Sequence, residues 1–435
     1  MKTVAFHTIG CKLNQYETND LERQFAEAGW EVVPFGEPAD VTVVNTCTVT
    51  GRSDHRCRAA LRKARRASPA GTVVAAGCYA QAQPDAVGSM AEVDLVLGNR
   101  GKAAVFEHLG EEGRPRGARI AIAGPAAGPA PGAPAPFVPI RAFSGHTRAF
   151  VKIQDGCDAR CAYCIVPQAR GGNRSLPETD VIAQVEALIG AGYPEVVLTG
   201  VHLGTWGRDL RPQRTLAAVL ARIVALPGLG RLRLSSIEPT EFTPELLELL
   251  ASSPAICPHL HIPLQSGAAA VLRAMRRPYG PGEFAALAER LAATLPDPGI
   301  GADVIAGFPG ERAEDFEETA ALIRALPLTY LHVFPYSPRP GTPAAAMPDQ
   351  VPPPERERRA ALLRAIGRDK AEDFRRRHVG RTVRALVEGR AGRAHGLTGN
   401  YLKVEVRAGA ADIGTFRDLR ILRLDGGTLH GELLG

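Results

Sequence analysis

No stretch of this sequence approaches the roughly 20 consecutive apolar residues of a membrane-spanning helix, which argues against a helical membrane protein. The opening Met1-Lys2-Thr3-Val4-Ala5-Phe6 lacks the apolar centre of a secretory signal. The chain therefore reads as cytoplasmic, where thiols stay reduced. In that compartment its 8 Cys point to metal binding or catalysis rather than to disulfides. No convincing Ser-His-Asp arrangement is present, so acyl transfer by a side-chain nucleophile is not indicated. Met is scarce, with only 4 in 435 residues, against abundant Ala, Arg, Gly and Pro. That bias carries little mechanism. Charge is not extreme either: the formal net charge of +6 is modest for this length but compatible with a nucleic-acid partner. Hydrophobic content of 45% and charged content of 23% are ordinary for a globular chain, and 435 residues suffice for two or three domains.

Against these absences stands Gly-Cys-Asp-Ala-Arg-Cys-Ala-Tyr-Cys, residues 156–164. Cys157, Cys161 and Cys164 have CxxxCxxC spacing, compact enough to hold one face of a [4Fe-4S] cube. Three cysteines leave one of four irons open for a chelating small molecule. Zinc usually takes four ligands in paired spacing, and no fourth follows nearby. With Tyr163 before the last cysteine, the stretch resembles the radical S-adenosylmethionine (SAM) enzymes. In them the open iron binds SAM, and cleavage of the sulfonium releases a 5′-deoxyadenosyl radical.

The chain divides around a visible linker. Residues 1–110 alternate strand signals (Val4–Thr8, Val41–Val44, Val73–Ala76) with helix signals such as Asn19–Ala28, predicting an α/β domain with a parallel sheet. Residues 111–140 are too rich in Pro, Ala and Gly to pack a core and read as a linker. Across 147–375 the alternation resumes. Strands are predicted at 196–198, 232–234, 259–262, 300–305 and 331–334, and helices at 180–191 and 313–325. This suggests a partial (β/α) barrel whose function lies at the strand C-terminal ends. From 379 to 435 short strands with Gly-rich turns suit a small β-barrel.

A second set of cysteines, Cys11, Cys47 and Cys78, follows three strand signals of the first domain. In an open parallel sheet such ends are neighbours and gather ligands. Spacing alone leaves open whether they share a site or pack singly as buried apolar residues. Cys57 and Cys257 have no such setting and read as structural.

The segments Gly10–Asn14, Asn45–Val49 and Gly77–Gln81 closely resemble the methylthiotransferase family. So do the CxxxCxxC, His261–Gly267, Asp303–Glu311 and Phe334–Ser337, so that the resemblance covers nearly the whole chain except the linker. It implies an N-terminal methylthiotransferase domain, a radical SAM partial barrel and an RNA-binding TRAM barrel. It also implies two [4Fe-4S] clusters: an auxiliary one on Cys11, Cys47 and Cys78, and a SAM-binding one on Cys157, Cys161 and Cys164. In the implied reaction one SAM supplies the methyl of a methylthio group and a second supplies the radical that abstracts the substrate hydrogen. A one-electron donor such as flavodoxin or ferredoxin is implied as a partner.

Tyr163 and the strand-end residues Thr199, Gly200, Glu238 and Gln265 are the expected SAM contacts, with a polar strand cap as the bland alternative for the last four. Arg52, Arg56, Arg58, Arg62, Lys63, Arg65 and Arg66 form a basic run in which Arg58, Arg62 and Arg65 share a helix face. They either track phosphates or line a solvated surface. From Val379 onward eight Arg and one Lys face three Asp and three Glu, with only Tyr401 and Phe416 as aromatics. Phosphate contact is expected there more than base stacking.

Three substrate branches separate by resemblance. Phe6–Asn14, Ile153–Cys157 and Gly399–Val404 look most like the branch that acts on N6-threonylcarbamoyladenosine beside the tRNA anticodon. The alternatives are isopentenyladenosine in tRNA and an aspartate of a ribosomal protein. A non-catalytic RNA-binding protein with one structural cluster would normally show four ligands, not two triads.

Overall fold

A computed structural model describes residues 1–110, 113, 119–122 and 146–434. The chain forms two compact units. The first combines Met1–Ile140, Gln154–Leu176 and Ser337–Ala345; the second combines Arg141–Ile153, Pro177–Tyr336 and Ala346–Gly435.

The first unit is built on a parallel sheet of β1 (Thr3–Thr8), β2 (Glu31–Val33), β3 (Val41–Thr46), β4 (Thr72–Gly77), β5 (Leu95–Leu97) and β6 (Ile120–Ala121), in the order β2-β1-β3-β4-β5-β6. Every residue of β3 and β4 is buried, as expected for central strands covered on both faces. Val44, Val73 and Ala75 pack with Cys57, Leu61 and Ala64 of helix α2 (Gly51–Ala67). The opposite face, Val41, Val43, Val74 and Ala76, packs with Leu21 and Phe25 of α1 (Lys12–Glu27). The expected helix from Asn19 in fact begins at Lys12. Its first turns bury Asn14, Glu17, Thr18 and Asp20 beside Leu13 and Tyr16, and these polar residues dilute the apolar periodicity that marks a helix in sequence. Within the stretch read as linker, Ile120–Ala121 joins the sheet at its edge. Apart from Gly113, Arg119 and Ile122, the rest of 111–140 lies outside the described residues.

The second unit contains six parallel strands: β7 (Arg148–Lys152), β10 (Glu195–Thr199), β11 (Arg231–Leu234), β12 (His259–His261), β13 (Gly299–Ala306) and β14 (Tyr330–Pro335). The intervening β8 (Gln154–Asp155) and β9 (Arg174–Ser175) form an antiparallel pair in the first unit. The six strands run as β11-β10-β7 and β12-β13-β14. A bridge between Leu232 and Ile256 and a hydrogen bond from Ile237 N–H to the His261 carbonyl (3.1 Å) join the two sets. Helices fill the connections, among them Glu178–Gly190 and Ala313–Ala325. This is the expected partial barrel. A 24-residue helix, Pro353–Arg376, follows β14.

A closed barrel then forms from β15 (Thr382–Arg390), β16 (Arg393–Thr398), β17 (Lys403–Val406), β18 (Phe416–Asp425) and β19 (Thr428–Leu433). It is fastened to the partial barrel by buried ion pairs. Arg233 donates to Glu195 Oε1 (2.8 Å) and to the Thr398 (3.1 Å) and Gly399 (2.9 Å) carbonyls, while Arg231 donates to Glu195 Oε2 (2.6 Å) and the Leu397 carbonyl (3.0 Å). Among the described residues no helix is long and apolar enough to cross a membrane.

Candidate metal and substrate centre

β1, β3 and β4 are adjacent and parallel, so their C-terminal ends lie side by side. Cys11, Cys47 and Cys78 follow those three ends. Burial pushes the Cys47 thiol up to about 11, and negative charge on Cys78 and Cys11 adds to the effect. Cys11 keeps accessible surface, yet the surrounding protein desolvates its thiol and raises it, opposed by the Arg170 guanidinium. Two glycines make this convergence possible. Gly10 and Gly77 hold φ of 120° and 100°. A Cβ at Gly10 would lie 2.8 Å from the Cys47 Cβ, and one at Gly77 would lie 2.6 Å from Asn45 Oδ1. All eight cysteines are thiols. Cys57 is fully buried behind Cys47, accepting from its N–H at 3.3 Å, and burial pushes its thiol up to about 12. Cys257 is likewise a core residue.

Side-chain amides lock the three loops. Asn14 donates to the Ile9 (2.7 Å) and Thr46 (3.0 Å) carbonyls, and Asn45 donates to the Asn14 carbonyl (2.9 Å). Beneath them lies a buried ionic network that the sequence reading did not anticipate. Arg170 donates to Glu17 Oε1 (3.0 Å), Asp155 Oδ1 (3.0 Å) and Asn14 Oδ1 (2.7 Å). Lys102 donates to Glu17 Oε2 (2.5 Å) and Asn99 Oδ1 (2.9 Å). Asn99 in turn donates to Cys78 Sγ (3.4 Å) and to the Ala169 carbonyl (2.7 Å). Two buried cations balance two buried carboxylates, which is the condition for burying such charges. The only sequence signal was that Asn14, Asp155 and Gly77-Cys78 lay inside recognisable motifs.

The CxxxCxxC segment belongs to the same unit. Cys157 N–H donates to the Gly171 carbonyl (2.9 Å), Cys164 N–H to that of Cys161 (3.1 Å), and Ala344 N–H to that of Ala162 (2.8 Å). Its three cysteines and Tyr163 are half-buried. Within this unit Arg339 pairs with Asp54 and donates to Thr48 Oγ1 (3.0 Å), fixing the residue that follows Cys47. Two thiol triads, one backed by an N–H···S contact and buried cations, are a donor set suited to iron–sulfur clusters.

The other predicted contacts lie in the second unit. Thr199 ends β10 and is buried, and Gly200 follows it. Gln265 is buried with a left-handed φ of 65°, a strained conformation that clusters at functional sites. Glu238 is paired with Arg277, and burial raises its carboxyl while Arg277 lowers it. The Glu238 carboxylate is thus already held by Arg277.

The basic run occupies α2, but its predicted face is largely used internally. Arg58 donates to Tyr79 OH (2.9 Å), Arg65 pairs with Asp94 and donates to the Gly71 carbonyl (2.8 Å), and Arg62 lies 3.7 Å from Glu92. Arg52, Arg56, Lys63 and Arg66 remain exposed.

Comparisons with known proteins follow this division. Residues 3–98 match the model described as Uncharacterized protein family UPF0004, and residues 151–323 match the Radical SAM superfamily. The threonylcarbamoyladenosine tRNA methylthiotransferase MtaB of Bacillus subtilis is 38% identical over 97% of this chain and 94% of its own length. The tRNA-2-methylthio-N(6)-dimethylallyladenosine synthase of a Parafrankia species is 36% identical over 92% of this chain and 80% of its own. Among solved structures, the radical SAM methyltransferase TsrM from Kitasatospora setae shares the fold, with a TM-score of 0.56 at 18% identity, covering 79% of this chain and 77% of that one.

Proposed function

The chain belongs to the radical SAM methylthiotransferases, and from that membership we propose that it transfers a methylthio group to C2 of N6-threonylcarbamoyladenosine at position 37 of tRNA. The observation that carries this reading is the convergence of Cys11, Cys47 and Cys78 at three adjacent strand ends, in addition to the CxxxCxxC. A radical SAM protein that only methylates has no need of this second triad. Cys157, Cys161 and Cys164 hold the cluster that binds SAM; Cys11, Cys47 and Cys78 hold the auxiliary one. When bound, the clusters and SAM supply the methyl, the sulfur and the hydrogen-abstracting radical.

The protein's part is to fix and shield these groups. Asn14 and Asn45 hold the auxiliary loops in register. Asn99, Lys102 and Arg170 offset thiolate charge. Tyr163, Thr199, Gly200, Glu238 and Gln265 orient SAM. The C-terminal barrel engages tRNA, a flavodoxin- or ferredoxin-like donor delivers electrons, and the enzyme works in the cytoplasm.

Mass spectrometry of tRNA nucleosides from cells with and without the gene tests the reading. Loss of 2-methylthio-threonylcarbamoyladenosine with accumulation of its precursor is expected. Loss of the isopentenyl counterpart would move the chain to the neighbouring branch. An unchanged nucleoside profile would redirect the search to a ribosomal protein. In the purified protein, Cys47→Ser is expected to leave about four irons per chain instead of about eight, with SAM cleavage retained and methylthio transfer lost.

A further inference from the structure

The segment Gly399–Val404 helped to distinguish the substrate branch, yet neither the clusters nor SAM explains it. It forms the turn from β16 into β17 within the second unit. Tyr401 there holds a φ of 72°, a left-handed conformation that a bulky side chain rarely adopts. The strain is locked in: Thr398 Oγ1 donates to Asn400 Oδ1 (2.6 Å) and accepts from Leu402 N–H (2.8 Å), while Asn400 Nδ2 donates to the Asp297 carbonyl (3.0 Å). The Tyr401 ring stacks on His259 at 4.4 Å between centroids and still leaves 39% of the residue exposed.

That surface faces a cleft of about 420 Å³, within the roughly 300–1,000 Å³ usual for small-ligand sites. Tyr330 and His332 of β14 form one wall, Arg375 of the long helix a second, and Tyr401 and Lys403 a third. His332 is oriented by its hydrogen bond to Asp303 Oδ1 (3.2 Å), which also accepts from His261 Nε2 (2.9 Å). These bonds satisfy the carboxylate without a cation. Lys403 and Arg375 have no ion-pair partner among the described residues, and Glu405 is the one carboxylate on the lining. Two unpaired cations beside an aromatic wall suit an anion carried by a flat ring.

We propose that this cleft is a subsite for one nucleotide of the RNA substrate, with an anionic oxygen held by Lys403 and Arg375 beside the Tyr401 and Tyr330 rings. The proposal rests on the tRNA reading above. The oxygen belongs either to a backbone phosphate or to the carboxylate of the threonylcarbamoyl group, and the test separates these sources.

The experiment measures dissociation constants of the full-length protein, reconstituted with clusters under anaerobic conditions. Two tRNAs are compared, one carrying N6-threonylcarbamoyladenosine at position 37 and one with unmodified adenosine there. Lys403→Ala and Arg375→Ala are the variants, both outside the hydrophobic core. A loss of about tenfold for either variant is expected. Equal loss on both tRNAs, with the salt slope reduced by about one, identifies a phosphate. Loss only on the modified tRNA identifies the carboxylate. Variants that match a tRNA-binding wild type on both RNAs would overturn the cleft alone. A wild type that binds neither tRNA overturns the substrate reading and the cleft together.

Discussion

At the scale of single residues, function concentrates where polar side chains are buried. Asn99 stands between the Cys78 sulfur and the Ala169 carbonyl. N–H donors to cluster sulfurs raise reduction potential. Asn99→Ala should therefore shift the auxiliary cluster to a more negative potential in an EPR-monitored titration, leaving the SAM cluster where it was. An unchanged auxiliary potential would refute that role. Arg170 is the hub joining Glu17, Asp155 and Asn14. Arg170→Met leaves Glu17 with Lys102 alone and Asp155 with the longer contact to Arg174 (3.4 Å), and should cost about 3–5 kcal/mol in chemical denaturation. Adding Glu17→Gln should recover part of that loss. Cys157, Cys161 and Cys164 stood out in the sequence as candidate ligands because a metal site needs particular atoms at particular spacings, and Cys11, Cys47 and Cys78 were singled out by family resemblance. The network did not, because Glu17, Lys102 and Arg170 are ordinary surface residue types until folding buries them.

At the scale of elements, the strand–loop–helix junctions decide geometry. Gly77 ends β4 with a φ of 100° and hands the chain to the short helix that begins at Cys78. Thr46 supports this junction, donating to the Ala76 carbonyl at 2.6 Å and accepting from the Tyr79 and Ala80 N–H groups. Gly77→Ala adds a Cβ against Asn45 in a backbone region that excludes it. It should cost about 1–3 kcal/mol and lower iron occupancy of the first triad, as iron quantification would register. β1, β3, β4 and β10 to β14 were legible within a residue or two, because buried parallel strands are short β-branched or aliphatic runs, whereas β2, β5 and β7 were not anticipated. The start of α1 was not legible, since polar residues share its buried face with Leu13 and Tyr16. The edge strand Ile120–Ala121 was also missed, because two residues carry no periodic signal.

At the scale of the whole chain, order in sequence and membership of a compact unit part company. Gln154–Leu176 and Ser337–Ala345 pack with the N-terminal sheet, while Arg148 of the preceding strand pairs with Glu388 of the C-terminal barrel at 2.7 Å. That barrel is fastened by Arg233, whose side chain is fully buried against Glu195. Arg233→Met should cost about 3–5 kcal/mol by leaving Glu195 undercompensated. It should also loosen the barrel enough for faster hydrogen exchange in β16 and β17; unchanged exchange there would count against the fastening role. The sequence by itself determined the family and pointed to the six candidate cluster cysteines and the succession of sheet, partial barrel and small barrel, since these reside in spacing, periodicity and local motif. Only the tertiary structure decided that both cysteine triads belong to one unit, that Arg58 and Arg65 of α2 are bonded within that unit while its other arginines stay exposed, and that Tyr401 faces a cleft with Lys403. Those facts depend on contacts between residues up to hundreds of positions apart, and no local pattern encodes them.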